Sequence, residues 1–410
     1  MDHDDVASVR SRFPALLQGA RGEGGVDLDG PAGTQVPDSV IEAMADVHRR
    51  GISNLGGGFP TSDAADRITT ESRAALADLF NAGPDEIAFG QNMTSLTFAV
   101  SRALSREWNP GDEIVVTLLD HDANVTPWRL AAADRGATVR TVPFDTADGR
   151  LDPAAVAAAV GPRTRLVAVT HASNALGTVP DVAAIVDIAH GAGALSFVDA
   201  VHFTPHRTID VAALDTDFLV ASCYKFFGPH LGVMYGKGEI LERLTAYKVV
   251  PAPDHGPEKW ETGTQSFESL AGAAAAVDYL ASLGSGRTRR DRIVDGQQWI
   301  RRHEMALMDR FLGGAAEIPG LRIHGITAPD LLDERVPTFA VTIDGTDPAD
   351  TAAAMRATGV YVRSGDYYAV GVMQHLGLQD RGGAVRIGFV HYTTPEEVDR
   401  TLDALARAAG

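Results

Sequence analysis

Residues 165–200 read RLVAVTHASNALGTVPDVAAIVDIAHGAGALSFVDA. The two ends, RLVAVT (165–170) and LSFVDA (195–200), are apolar and rich in β-branched residues, while 181–192 is Ala-rich with helical character. Strand, helix, strand is the repeating unit of a parallel sheet, and unbroken apolar strands fit a sheet covered on both faces. The same alternation extends outward. EIAFG (86–90), EIVVTLL (113–119) and ATVRTVPF (137–144) precede the stretch and FLVAS (218–222) follows it, with helical segments at 94–108 and 126–136. The expected fold class is α/β with a mainly parallel sheet.

Beyond residue 250 the texture changes. VPAPDHGPEKWETGT (250–264) is Pro/Gly-rich and irregular, and a long helical region, 268–314, is broken near LGSGR (283–287). Shorter β and α segments then alternate: LRIHG (321–325), TFAVTID (338–344), a helix at 347–358, VYVRSG (360–365), VRIGFVHY (385–392) and a last helix at 395–409. At 410 residues the chain exceeds what one core supports, so a large α/β domain followed by a smaller α+β domain is expected.

Composition narrows the function. Thirty-six Lys and Arg against 54 Asp and Glu leave a net charge of -18. Such a chain repels phosphate backbones unless it carries a local basic face, and the short RTRRDR (287–292) reads as a solvated helix face, so nucleic acid is not expected as a partner. No apolar run approaches the roughly 18 residues of a membrane span. The opening MDHDDVASVR does not read as a secretory signal, and the single cysteine, Cys223, rules out an intrachain disulfide or a Cys-rich zinc site. A cytoplasmic location is expected.

In an open parallel sheet, ligands bind beyond the carboxyl ends of the strands. DHDAN with His121 follows EIVVTLL, and HASN with Asn174 follows RLVAVT. LSFV leads into Asp199 and then His202, and FLVA leads into Ser222 and Lys225, one of only four lysines. A lysine and an aspartate on neighbouring strand ends suit pyridoxal 5'-phosphate. The amine forms a Schiff base with the aldehyde, and the carboxylate keeps the pyridine nitrogen protonated. The phosphate needs free N–H groups at a helix N-terminus, which FGQNMTSLTFAVSRAL (89–104) supplies from about Thr94. Taken singly, these residues have plainer readings. Asp199 alone reads as a structural strand-end carboxylate and His121 as a loop histidine. A metal reading of HDAN lacks an HExxH or a cysteine pair, and GGGF (56–59) has the wrong spacing for a dinucleotide loop. The conjunction carries the cofactor reading.

These residues also carry a resemblance. From LDGPAGTQVP (28–37) onward the chain resembles the class V aminotransferases, and closely their cysteine desulfurase branch. The resemblance implies a fold-type I pyridoxal-phosphate homodimer with shared sites, a seven-stranded, mainly parallel sheet, and three regions. These are an N-terminal segment (1–30) packing with the small domain, a large cofactor domain (31–267), and a connecting helix with the small α+β domain (268–410). LDHDANVTPW resembles E-H-H-A-N-x-x-P-W and makes His121 the ring-stacking residue. HASNALGT resembles S-N-x-L-G-T, bringing Asn174 near the phenolic oxygen, and FVDAVH resembles V-D-x-A-Q, pairing Asp199 with the pyridine nitrogen. SCYKFFGPHLG resembles S-x-H-K-x-x-G-P-x-G, with Lys225 as Schiff-base lysine and Ser222 on the phosphate. QNMTS matches the phosphate turn, implicating Met93 through its backbone and Thr94 through its hydroxyl. WETGTQ resembles F-E-x-G-T-P, so Thr264 reaches the phosphate bound in the partner subunit. VRIGFVHYTTPEEVD resembles the family's C-terminal motif and makes Arg386 the bidentate clamp for a substrate carboxylate.

The departures are informative. Where desulfurases carry a catalytic cysteine after R-x-G-x-x, this chain reads RSGDYYAV, with Arg363, Gly365 and then Tyr368. Cys223 precedes Lys225 by two residues and reads as a buried, inert thiol. His202 replaces the usual Gln, Asp122 the second His of the HH pair, and Tyr224 the His before Lys225. The expectation is C–S lyase chemistry (β-elimination) or related desulfurase-like chemistry on a small L-amino acid, with Arg363 and Tyr368 (or Tyr367) shaping the substrate side. Aminotransferase or epimerase chemistry on the same fold is the alternative. Retention of Lys225, Asp199, His121 and Arg386 together argues against a non-enzymatic scaffold.

Overall fold

The computed structural model describes residues 5–17 and 24–410. Thirteen strands run through them: β1 (Val26–Asp27), β2 (Ile87–Gly90), β3 (Glu113–Thr117), β4 (Thr138–Val142), β5 (Thr164–Thr170), β6 (Leu195–Asp199), β7 (Phe218–Ser222), β8 (Gly232–Gly236), β9 (Leu321–His324), β10 (Thr338–Ile343), β11 (Val360–Tyr361), β12 (Arg363–Gly365) and β13 (Ala384–Gly388). Seven form one sheet in the order β2-β8-β7-β6-β5-β3-β4. Its five strands from β7 to β4 are parallel, and β8 runs antiparallel to both β7 and β2. Strands β3, β7 and β8 are buried along their whole length, as expected for a sheet covered by helices on both faces. Edge strand β4 is largely exposed.

Strand β8, two N-terminal helices and the VYVRSG segment differ from the sequence expectation. Strand β8, GVMYG, was not anticipated; it is short and glycine-flanked, with no alternation to mark it. Two N-terminal helices, Asp38–Arg50 and Pro60–Phe80, pack on the helix Phe267–Ala281 that begins the C-terminal region. VYVRSG splits, because β11 pairs with β1 while β12 pairs with β13, placing the two halves in different sheets. The long helical region breaks into Phe267–Ala281 and Arg289–Ala315, the second started by a Thr288–Asp291 capping box.

The four-stranded sheet, β12-β13-β10-β9, covers its own apolar cluster, which includes Phe311, Phe339, Phe389 and Leu405. Val26 and Leu28 from the N-terminal stretch are buried in this cluster. Residues 1–4 and 18–23 of the expected 1–30 segment lie outside the described residues.

A fully buried cation ties β10 of the four-stranded sheet to the loop that follows β5. The Arg335 guanidinium stacks 4.0 Å over the Phe339 ring and donates to the carbonyls of Thr338 (2.6 Å), Leu176 (3.3 Å) and Ile326. Burial without a carboxylate partner pulls its pKa down to about 9. Among the described residues, no helix is long and apolar enough to cross a membrane.

Candidate active site

The carboxyl ends of β3, β5, β6 and β7 open into a cavity of about 750 Å³. Eight residues singled out from the sequence line it: Met93, Thr94, His121, Asn174, Asp199, His202, Ser222 and Lys225. Strand register explains the convergence. Asp199 pairs with Thr170 on one side and Val220 on the other, so the polar ends of three adjacent strands lie side by side.

One wall is the N-terminus of the helix Met93–Leu104. Asn92 caps it, accepting the Ser95 N–H at 2.9 Å, and the Ser95 hydroxyl closes the reciprocal box. The Met93 N–H donates to Ser222 Oγ at 3.0 Å, which leaves the Ser222 hydroxyl proton for a ligand. The Thr94 N–H has no protein partner among the described residues. A helix start with a free N–H and two hydroxyls suits a phosphate. The turn depends on Gly232 at the head of β8, where a Cβ would fall 2.4 Å from the carbonyl carbon of Asn92.

The floor carries the titratable pair. Asp199 is buried and accepts the Val201 N–H at 3.0 Å. Burial pushes its carboxyl up to about 6, against the pull of that N–H and of Lys225. Lys225 Nζ donates to the Pro31 carbonyl, and the amine is held down at about 7, first by burial and then by the Arg386 charge. The amine is therefore a competent nucleophile near neutrality. His121 Nδ1 accepts the Ala123 N–H at 3.0 Å, so its proton sits on Nε2. Burial, followed by the charges on Lys225 and Arg386, lowers its pKa to about 4, leaving a neutral ring.

His202 is held through Nε2 to Thr338 Oγ1 at 2.9 Å, and burial keeps it neutral. Behind it, His206 and Glu304 form a buried pair at 2.9 Å. Asp120, unremarked in the sequence reading, lies next to this region; it accepts from Asn124 Nδ2 at 2.7 Å and from the Thr117 hydroxyl. Burial raises its pKa well above the usual carboxylate range.

Four of the singled-out residues lie off the cavity wall. Arg386 sits behind Asn174, donating to its carbonyl at 3.3 Å, and is 3% exposed. Arg363 is exposed and forks onto Asp29, with Nη2 at 2.6 Å. Tyr368 is exposed, and its ring is roughly parallel to that of His121 at 5.6 Å. Tyr367 and Tyr368 are consecutive left-handed residues, with φ of 53° and 59°. Each such residue costs about 1–3 kcal/mol, a strain typical of functional loops. Asn174 Nδ2 and the Asp122 N–H hold the loop by bonding the carbonyls of Tyr367 and Tyr368, at 3.0 and 2.7 Å. Thr264 lines a neighbouring cavity of about 560 Å³, joined to the first by Gln91 and His230.

The donor set fits pyridoxal 5'-phosphate. A buried acid and a half-buried amine line one cavity, and the helix start suited to a phosphate lies beside them. Asn174 Oδ1 is buried without a hydrogen-bond partner among the described residues, as is His171 Nδ1, which burial takes down to about 3. The cavity is in the range of small-ligand sites.

Comparison with known proteins agrees. The Aminotransferase class-V family matches residues 26–401. A probable cysteine desulfurase of Mycolicibacterium paratuberculosis is 33% identical over 99% of this chain, which spans 58% of that relative's length. An aminotransferase-like protein of Gibberella zeae is also 33% identical, over 98% of this chain and 97% of its own. The apo structure of the cysteine desulfurase from Thermococcus onnurineus superposes with a TM-score of 0.86 at 28% identity, covering 98% of this chain and 97% of the other. The chain therefore belongs to the class V aminotransferases, a family of pyridoxal 5'-phosphate enzymes.

Proposed function

We propose that this enzyme cleaves the C–S bond of a small L-amino acid by β-elimination, without a protein-bound sulfur carrier. The observation that carries the reading is the state of the only thiol. Cys223 is wholly buried, and burial drives its pKa far above that of an ordinary thiol, so it neither ionises nor meets a substrate. Tyr368 stands where the resemblance expects the catalytic cysteine, and a phenol cannot hold a persulfide.

When bound, pyridoxal phosphate supplies an aldehyde for imine exchange and an electron-withdrawing ring. Lys225 provides the amine that anchors it and, once released, takes the Cα proton of the substrate. Asp199 holds the ring nitrogen protonated, and neutral His121 stacks without competing for charge. The free Thr94 N–H and the Thr94 and Ser222 hydroxyls would take the phosphate, with the Met93 N–H holding Ser222 Oγ in place, and Asn174 and His202 would border the phenolic oxygen. Arg386 holds the substrate carboxylate. Tyr367 is unsuited to be the acid for the leaving sulfur because its hydroxyl is spent on the Ala384 carbonyl. Tyr368 remains as the wall on the substrate side. The likeness to an aminotransferase-like protein favours transamination as the second reading.

We propose also that two copies share their sites. Thr264 lies off its own chain's cavity wall, and Tyr247, which lines the same neighbouring cavity, is 52% exposed and followed in sequence by Val249 and Val250 at 69% and 94%, apolar side chains suited to a partner.

The test is product analysis of the cofactor-loaded enzyme with L-cysteine and L-cystine. Pyruvate with sulfide or persulfide is expected, and Lys225→Ala should abolish both products and the visible absorbance of the bound cofactor. Alanine with protein-bound sulfur would overturn the reading in favour of desulfuration, and a pyridoxamine form in favour of transamination.

A further inference from the structure

The clamp arginine is already engaged. Arg386 Nη2 lies 3.2 Å from Asp29 Oδ1, its Nη1 donates to the Asn174 carbonyl at 3.3 Å, and its Nε is buried with no hydrogen-bond partner among the described residues. Asp29 is gripped more firmly by Arg363, whose Nη2 and Nε reach Oδ2 at 2.6 and 3.1 Å. One carboxylate thus bridges two guanidiniums, one of them 357 residues away in the chain.

A guanidinium binds a carboxylate bidentately either side-on, through Nε and Nη2, or end-on, through both Nη atoms. Both geometries use Nη2, and Asp29 occupies it. The buried, unpartnered Nε is the unused half of the side-on grip. Tyr367 lies 4.6 Å from the guanidinium and covers one of its faces.

We infer that Asp29 is a resident competitor at the carboxylate clamp: a substrate carboxylate takes Arg386 side-on by displacing Asp29, which stays with Arg363. This rests on the reading of Arg386 as the clamp. Asp29 is placed to make the exchange, because its side chain is 26% exposed and the Arg363 fork can keep it paired throughout. Arg363 becomes the holder of the displaced group rather than a second substrate ligand. Asp29 becomes a positioning residue that sets how strong an incoming acid must be. The ligand class selected is the carboxylate itself; amines and amides lacking one leave Asp29 in place.

Propionate tests the exchange, because it has the carboxylate but no amine with which to react at the cofactor. Calorimetric titration of the cofactor-loaded protein at low salt should show propionate binding about three- to tenfold tighter to Asp29→Asn than to the unaltered chain. Asp366→Asn serves as the charge control, since the Asp366 carboxylate is held by the Tyr368 N–H and Gln379. It should change the affinity by less than about twofold. Unchanged affinity in Asp29→Asn, or equal tightening in Asp366→Asn, overturns the inference. Asp29→Ala repeats the measurement without a hydrogen-bonding side chain, and melting curves recorded in parallel separate a loss of fold from a change at the clamp. Arg386→Gln distinguishes the underlying reading. If that variant binds propionate as well as the unaltered chain, the clamp itself is misassigned. If it loses propionate while Asp29→Asn gains nothing, only the competitor role fails.

Discussion

Lys225 shows how a single amine is prepared by its surroundings. Its pKa in the fold, about 7, lies below the ordinary lysine value of roughly 10.4. Protonation is therefore penalised in the folded chain, and the cofactor-free protein gains stability from this group as pH rises from about 7 toward the lysine range. Capture of the aldehyde follows the neutral amine. Its rate should rise about tenfold per pH unit below 7 and level off above, measured by stopped-flow absorbance. Arg386→Gln removes the nearest like charge and should move the bend to higher pH. Cys223→Ala should cost roughly 1 kcal/mol of stability and leave turnover intact; loss of turnover would restore the thiol to the mechanism. At this scale much of the site was readable, because His121, Asn174, Asp199 and Lys225 each follow an apolar run that predicts a strand end. Asp29 was not, since it sits in an irregular stretch and acts through two arginines more than three hundred residues later.

Among the elements, β8 was not legible in the sequence, and it shapes the turn ahead of the Met93–Leu104 helix. Its first residue, Gly232, lets the sheet approach the Asn92 cap so closely that any side chain would collide with backbone. Gly232→Ala should therefore push the start of the Met93–Leu104 helix outward. The expected result is a stability loss of about 1–3 kcal/mol and weaker cofactor affinity, read by melting curves and by cofactor titration. The parallel strands were legible from their unbroken apolar runs. By contrast, β8 is five residues bounded by glycines and owes its place to pairing with β2 and β7, a tertiary fact that local pattern does not carry. The same holds for VYVRSG, whose two halves have partners far away in the chain.

At the scale of the whole molecule, sharing of sites between two copies can be tested by mixing subunits. Lys225→Ala and Thr264→Ala chains each spoil a different half of the site. A random mixture should restore intact sites to about a quarter of the total, measured as recovered turnover against either variant alone. Recovery would be nil if each chain worked alone. Within one chain, Arg335 joins β10 to the loop after β5 through the Thr338 and Leu176 carbonyls, a buried tether between the two regions. Its role could not be read from sequence, where an arginine is by default a surface charge.

Strand β1 and Asp29 are synthesised about 330 residues or more before their partners in β11 and β13, while Pro31 meets the amine of Lys225 from the middle of the chain. Closing a loop of this span is slow, and during synthesis every residue lining the cavity is made long before the two arginines that hold Asp29. A ribosome stalled before residue 363 therefore leaves a product with its amine and helix cap in place and Asp29 without either guanidinium.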